Sequence, residues 1–169
     1  MSEEEILNEI IKDIIRKIES HRGISEFIKN ISKFEGWLKV EIVDSAIKLG
    51  CTEVIPEKER IDITFKHKSL SYAIELKTIN TNYQQDYTRK IRPITKNIDG
   101  IIKDIHDLRK NNDYDSKYVL FIVFPLDLES NKNLWENHLN KITNLTQLQS
   151  FRLNFLENHK GMLYLGEVK

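Results

Sequence analysis

The residues Tyr118, Val119, Leu120, Phe121, Ile122, Val123 and Phe124 form an unbroken run of β-branched, aromatic and aliphatic side chains that continues through Pro125 to Leu126. It is about half the length that a membrane-spanning helix needs. Its continuous hydrophobicity suits a central strand covered on both faces, whereas a strand with one wet face would alternate. Pro125 closes it, having no N–H to give to a ladder. A sheet with such a strand needs apolar helix faces to cover it, which makes an α/β sandwich the expected fold class.

The helices can be read from their periodicity. From Glu3 to Ser20, the residues Ile6, Leu7, Ile10, Ile11, Ile14, Ile15 and Ile18 recur at three- and four-residue spacing, and Ser20 to Gly23 ends that helix. A short helix is expected from Ile24 to Ile31. The stretch Ser32, Lys33, Phe34, Glu35 has the form of a capping box opening a longer helix, which Gly50 stops. Its core stripe is Phe34, Trp37, Leu38, Ile42, Ala46 and Leu49, and Glu41 falls on that stripe, where a carboxylate needs a reason. Three strand-like runs follow: Thr52 to Ile55, Ile61 to Lys66 and Ser71 to Lys77. The residues Ile94, Ile98, Ile101, Ile102, Ile105 and Leu108 mark another helix. A last helix is expected from Lys132 to Leu148, with Leu134, Trp135, Leu139, Ile142 and Leu145 inward, followed by strands Phe151 to Leu156 and Met162 to Val168.

With 169 residues, 40% hydrophobic and 31% charged, the chain fits a single domain that buries roughly 70% of its unfolded surface. Within residues 1–169 the expected parts are an N-terminal helical extension (1–31), a core (32–124) and a C-terminal helix with a β-hairpin (125–169). A lone Cys51 speaks against a disulfide framework or a cysteine-based zinc site, and the five histidines lack zinc-ligand spacing. The acidic start and the absence of a long apolar segment set the expectation of a cytoplasmic protein with no membrane partner. Lys plus Arg and Asp plus Glu both number 26, so net charge lends no support to nucleic-acid binding, although a local patch is compatible with it.

The second and third strand-like runs carry the chemistry. A turn at His67 to Leu70 sets pairing partners that place Phe65 opposite Tyr72, Ile63 opposite Ile74 and Ile61 opposite Leu76, one uniformly apolar face. On the other face the same register sets Asp62 opposite Glu75 and Arg60 opposite Lys77, with Cβ atoms about 5 Å apart across the strands. Opposed carboxylates repel, and the remedies are a proton on one of them, a divalent cation, or both. Mg²⁺ (or Mn²⁺) suits one or two carboxylates with waters and phosphate oxygens completing the shell. Lys77 points to the same face, and Glu41 would complete the site from the neighbouring helix. The competing reading is a solvated strand face on which Arg60 and Lys77 neutralise the acids; Glu41 would then be a stripe-edge residue reaching water, and Glu35 a capping residue.

At these residues the chain resembles the PD-(D/E)xK nuclease superfamily, the restriction-endonuclease-like fold. It shows a helix glutamate, Glu41, then Asp62 on a strand, then Glu75, Leu76 and Lys77 on the next; Ile61 stands where the family name has proline. The expected order from Ser32 to Phe124 matches that family's α-β-β-β-α-β core. The resemblance implies a Mg²⁺-dependent nuclease hydrolysing phosphodiester bonds, with Asp62, Glu75, the Leu76 carbonyl and Glu41 around the metal and Lys77 activating water. DNA rather than RNA is the expected substrate. Duplex cleavage would favour a homodimer, for which the isoleucine-rich first helix is a candidate face. Tyr83, Gln85, Arg89, Lys90 and Arg92, which interleave aromatic, amide and basic groups after the third strand, are candidate nucleic-acid contacts. The alternative is a non-catalytic nucleic-acid-binding or accessory protein that keeps the fold.

Overall fold

The computed structural model describes residues 3–83 and 93–169. The chain runs α1 (Glu3–Ser20), α2 (Arg22–Lys29), α3 (Glu35–Lys48), β1 (Thr52–Lys58), β2 (Ile61–His67), β3 (Leu70–Asn80), α4 (Ile94–Lys110), β4 (Ser116–Phe124), α5 (Leu128–Leu139), β5 (Leu145–Asn154) and β6 (Lys160–Val168). Six strands form one mixed sheet in the order β1-β2-β3-β4-β6-β5, parallel between β3 and β4 and antiparallel elsewhere. The apolar run is the inner strand β4, with every residue but Lys117 buried. The fold is α/β. Among the described residues no helix is long and apolar enough to cross a membrane.

Helices cover both faces. On one, Ile6, Ile10, Ile14, Leu38, Ile42 and Ala46 of α1 and α3 pack against Ile63, Tyr72, Ile74 and Leu120. On the other, Ile98, Ile101 and Ile105 of α4 and Trp135 of α5 pack against Ala73, Val119, Phe121 and Tyr164. The isoleucine stripe of α1 is thus spent inside its own chain: Ile6, Ile10, Ile11, Ile14 and Ile18 are at most 1% exposed. This corrects the expectation that it offers a dimer face, and the N-terminal helix is part of the main core.

Three local expectations change. No capping box opens α3: Phe34 holds the cap position without a side-chain bond, and the Glu35 carboxylate accepts the backbone N–H of Thr78, 2.9 Å away on β3. The last helix ends at Leu139, because Asp127 starts it early and residues from Leu145 onward pair with β6. Leu145 packs so closely on Gly166 that a β-carbon there would lie 2.6 Å from a Leu145 methyl, so cross-strand burial outweighs the helical period of 142–148. Leu134 consequently faces solvent while Trp135 is buried, its indole donating to the Tyr164 hydroxyl. Finally, Arg60 lies in the β1–β2 turn with φ of 72°, so it does not oppose Lys77.

Candidate active site

β2 and β3 pair in the expected register, with Phe65 opposite Tyr72 and Ile63 opposite Ile74, around a tight turn at Lys68 and Ser69. The ladder stops at Ile63 and Ile74, yet β3 continues to Asn80. The strand therefore outruns its neighbour, and the N–H groups that would have met β2 need other acceptors. Two carboxylates supply them. Asp62 Oδ2 accepts the N–H of Leu76 at 2.8 Å, and Glu35 accepts that of Thr78. The expected Ile61–Leu76 pair does not form, and the gap between the strands is where the acids gather.

Asp62, Glu75 and Lys77 line one cleft of about 450 Å³ together with Arg60, Lys103 and Asp104. The Asp62 and Glu75 carboxyls share a hydrogen bond, possible only while one of them carries a proton. The proton sits on Glu75. Burial, the Asp62 carboxylate beside it and Asp104 beyond push its pKa up to about 9. Burial pushes Asp62 upward as well, but the Lys39 ammonium, the Leu76 N–H and the Glu75 carboxyl outweigh it and hold Asp62 below its ordinary value.

Two residues that the sequence did not single out complete the constellation. Lys39, one turn after Glu35 on α3, places its ammonium 2.7 Å from Asp62 Oδ1 and 2.7 Å from Glu57. Asp104, on the inner side of α4, lies 2.8 Å from the Lys77 ammonium. Burial alone would lower the Lys77 pKa, but Asp104, with Glu35 and Asp62 further off, raises it, so the group is held charged. Asp104 is itself pushed up by burial, against the pull of Lys77. The signal that could have found Asp104 is its place one turn after the buried Ile101 and one turn before the buried Leu108, toward the sheet.

Glu41 is placed elsewhere. It lies 2.8 Å from the Lys17 ammonium, which also meets Asp13 at 3.0 Å and Asp44 at 2.9 Å, so it joins α3 to α1. The reason is angular: Glu41 sits on the side of α3 that faces α1, whereas Glu35 at the first turn meets the end of β3. The helix acid near the cleft is Glu35. Of the candidate nucleic-acid contacts, Gln85, Arg89, Lys90 and Arg92 lie outside the described residues. Tyr83 is partly buried against the α4-side core.

Among the described residues no group of three or more His, Cys, Asp or Glu side chains has the arrangement that would hold a metal ion. Mg²⁺ asks for less, since one or two carboxylates suffice when waters and substrate complete the shell. The Asp62–Glu75 pair fits that requirement, because a proton is now needed to keep the two acids together. Leu76, expected to offer its carbonyl, gives its N–H to Asp62. No family model matches the chain, and no curated protein or solved structure matches it.

Proposed function

We propose that the chain is a metal-dependent nuclease of the PD-(D/E)xK type, cleaving DNA phosphodiester bonds with Mg²⁺ or Mn²⁺. One observation carries this reading: Asp62, Glu75 and Lys77 converge in a single cleft where β2 and β3 part, with one carboxyl kept neutral by burial and by the other. The order α3, β1, β2, β3, α4, β4 supports the finer description of the sheet as a restriction-endonuclease-like core. Asp62 and Glu75 would hold the cation, with Glu35 in place of Glu41 as the acid from the helix. The cation, when bound, would lower the pKa of a water and offset charge on the phosphate. Lys77, fixed as an ammonium by Asp104, would donate to a phosphate oxygen or to the water rather than remove a proton.

A second reading, a non-catalytic nucleic-acid-binding or accessory protein, draws support from the ion partners already present: Asp62 holds Lys39, and Lys77 holds Asp104. The deciding experiment incubates the protein with supercoiled, linear and single-stranded DNA in Mg²⁺, Mn²⁺ or EDTA. Metal-dependent cleavage lost in Asp62→Asn is the expected result. DNA left intact under every condition, together with melting temperatures indifferent to either metal, would favour the second reading.

A further inference from the structure

Asp62 has one carboxylate oxygen tied to the Leu76 N–H and the other, Oδ1, tied to the Lys39 ammonium. Lys39 is held on two sides: Asp62 is inside, 17% exposed, and Glu57 is outside, 73% exposed. A divalent cation on Asp62 and an ammonium 2.7 Å from the same carboxylate would carry like charges within a few ångströms of each other, a repulsion strengthened where the surroundings are partly buried. The ammonium has somewhere to go, because Glu57 already shares it and faces water.

From this geometry we infer that Lys39 is a built-in counter-cation of Asp62, which a divalent metal must displace toward Glu57 to bind. Resting on the metal-dependent reading above, this assigns Lys39 and Glu57 a role in setting metal affinity. Lys39 is a positioning residue: it holds the Asp62 carboxylate in place before metal arrives and makes binding an exchange rather than a simple addition. Glu57 is the receiving side of that exchange, which gives a charged residue on an exposed edge strand a task beyond solubility.

The test is calorimetric titration of Mn²⁺ alone into wild type, Lys39→Met, Glu57→Gln and the double variant at neutral pH, with circular dichroism as the check on folding. Lys39→Met should bind Mn²⁺ about tenfold more tightly or better, within the usual range for two ligands coupled through one group. Glu57→Gln should weaken binding in the wild-type background and change it by less than about twofold in the Lys39→Met background, where there is no ammonium to receive. A pair that only stabilises the fold would lower the melting temperature of Lys39→Met without tightening metal binding. Affinity unchanged or weakened in Lys39→Met, or an equal Glu57→Gln effect in both backgrounds, overturns the inference while leaving the metal site standing. Failure of all four proteins to bind Mn²⁺ overturns both. Should Lys39→Met not fold, Lys39→Gln, which keeps a donor to Asp62 without the charge, takes its place under the same criteria.

Discussion

The neutral carboxyl of Glu75 should reveal itself as a pH dependence of stability in the absence of metal. Its ordinary pKa of 4.5 applies to the unfolded chain, and the folded value is about 9. Because the folded value is the higher one, the unfolded chain releases the proton first as pH rises, and stability falls between the two values. Each pH unit in that window costs about 1.4 kcal/mol, so roughly 3 kcal/mol is lost between pH 4.5 and pH 7. Glu75→Gln keeps the shape and can donate to Asp62 as the protonated acid does, yet it has no proton to lose. The variant should therefore be more stable than wild type at pH 7 in EDTA, by up to about 3 kcal/mol, and nearly equal to it at pH 5. Urea melts of both proteins at pH 5, 6, 7 and 8 measure this directly. Asp62, held below its ordinary value, stays ionised throughout, and every titratable group other than Glu75 is common to both proteins, so the difference between the two curves isolates Glu75. Parallel curves, or a Glu75→Gln protein less stable at pH 7, would refute the account of a proton shared by opposed carboxylates. Added Mg²⁺ should stabilise the wild type and not the variant.

Other perturbations follow from the same contacts. Lys77→Ala should leave the far-ultraviolet circular dichroism unchanged and lower Mg²⁺-dependent cleavage by roughly 10² or more, the usual loss for one charge-stabilising donor. Asp62→Asn should abolish cleavage and, in EDTA, lower stability by about 1–2 kcal/mol in urea melts, since Lys39 loses its inner partner. Lys17→Met strands Asp13, Glu41 and Asp44 together between α1 and α3 and should cost about 2 kcal/mol by denaturant melting, between the values for exposed and buried pairs.

The hairpin was legible because its register follows from period-two alternation and a short turn, and each step of that reasoning is local. The central strand was legible for the same reason. What could not be read was where β3 loses its partner, since that depends on the ladder with β2 stopping at Ile63 and Ile74 while β3 runs to Asn80. That mismatch leaves the N–H groups of Leu76 and Thr78 without strand acceptors and draws in Asp62 and Glu35. Glu35 fitted a capping box, an economical local explanation that lost to a tertiary one. Glu41 shared a heptad with the core stripe, but one stripe on α3 faces both the sheet and α1, and periodicity does not tell them apart. The sign of the Asp62→Asn effect shows the same limit. Opposed carboxylates alone would make that variant more stable, and Lys39, 23 positions earlier in the chain, reverses it.

The protonation pattern also constrains how the residues could divide the labour of hydrolysis. Glu75 carries its proton at neutral pH, Lys77 is held as an ammonium, and Asp62 is a weaker base than a free carboxylate. In the metal-free state none of the three is poised to take a proton from water near pH 7. Their geometry serves to hold and orient. A phosphate approaching the cleft would meet Glu59, Asp62, Asp104 and Asp107 against Arg60, Lys77 and Lys103, an excess of negative charge on the walls. With net charge zero over the whole chain, no general attraction offsets that repulsion. The arrangement suits phosphodiester chemistry only if a divalent cation supplies the missing positive charge, so substrate affinity as well as rate should depend on metal concentration.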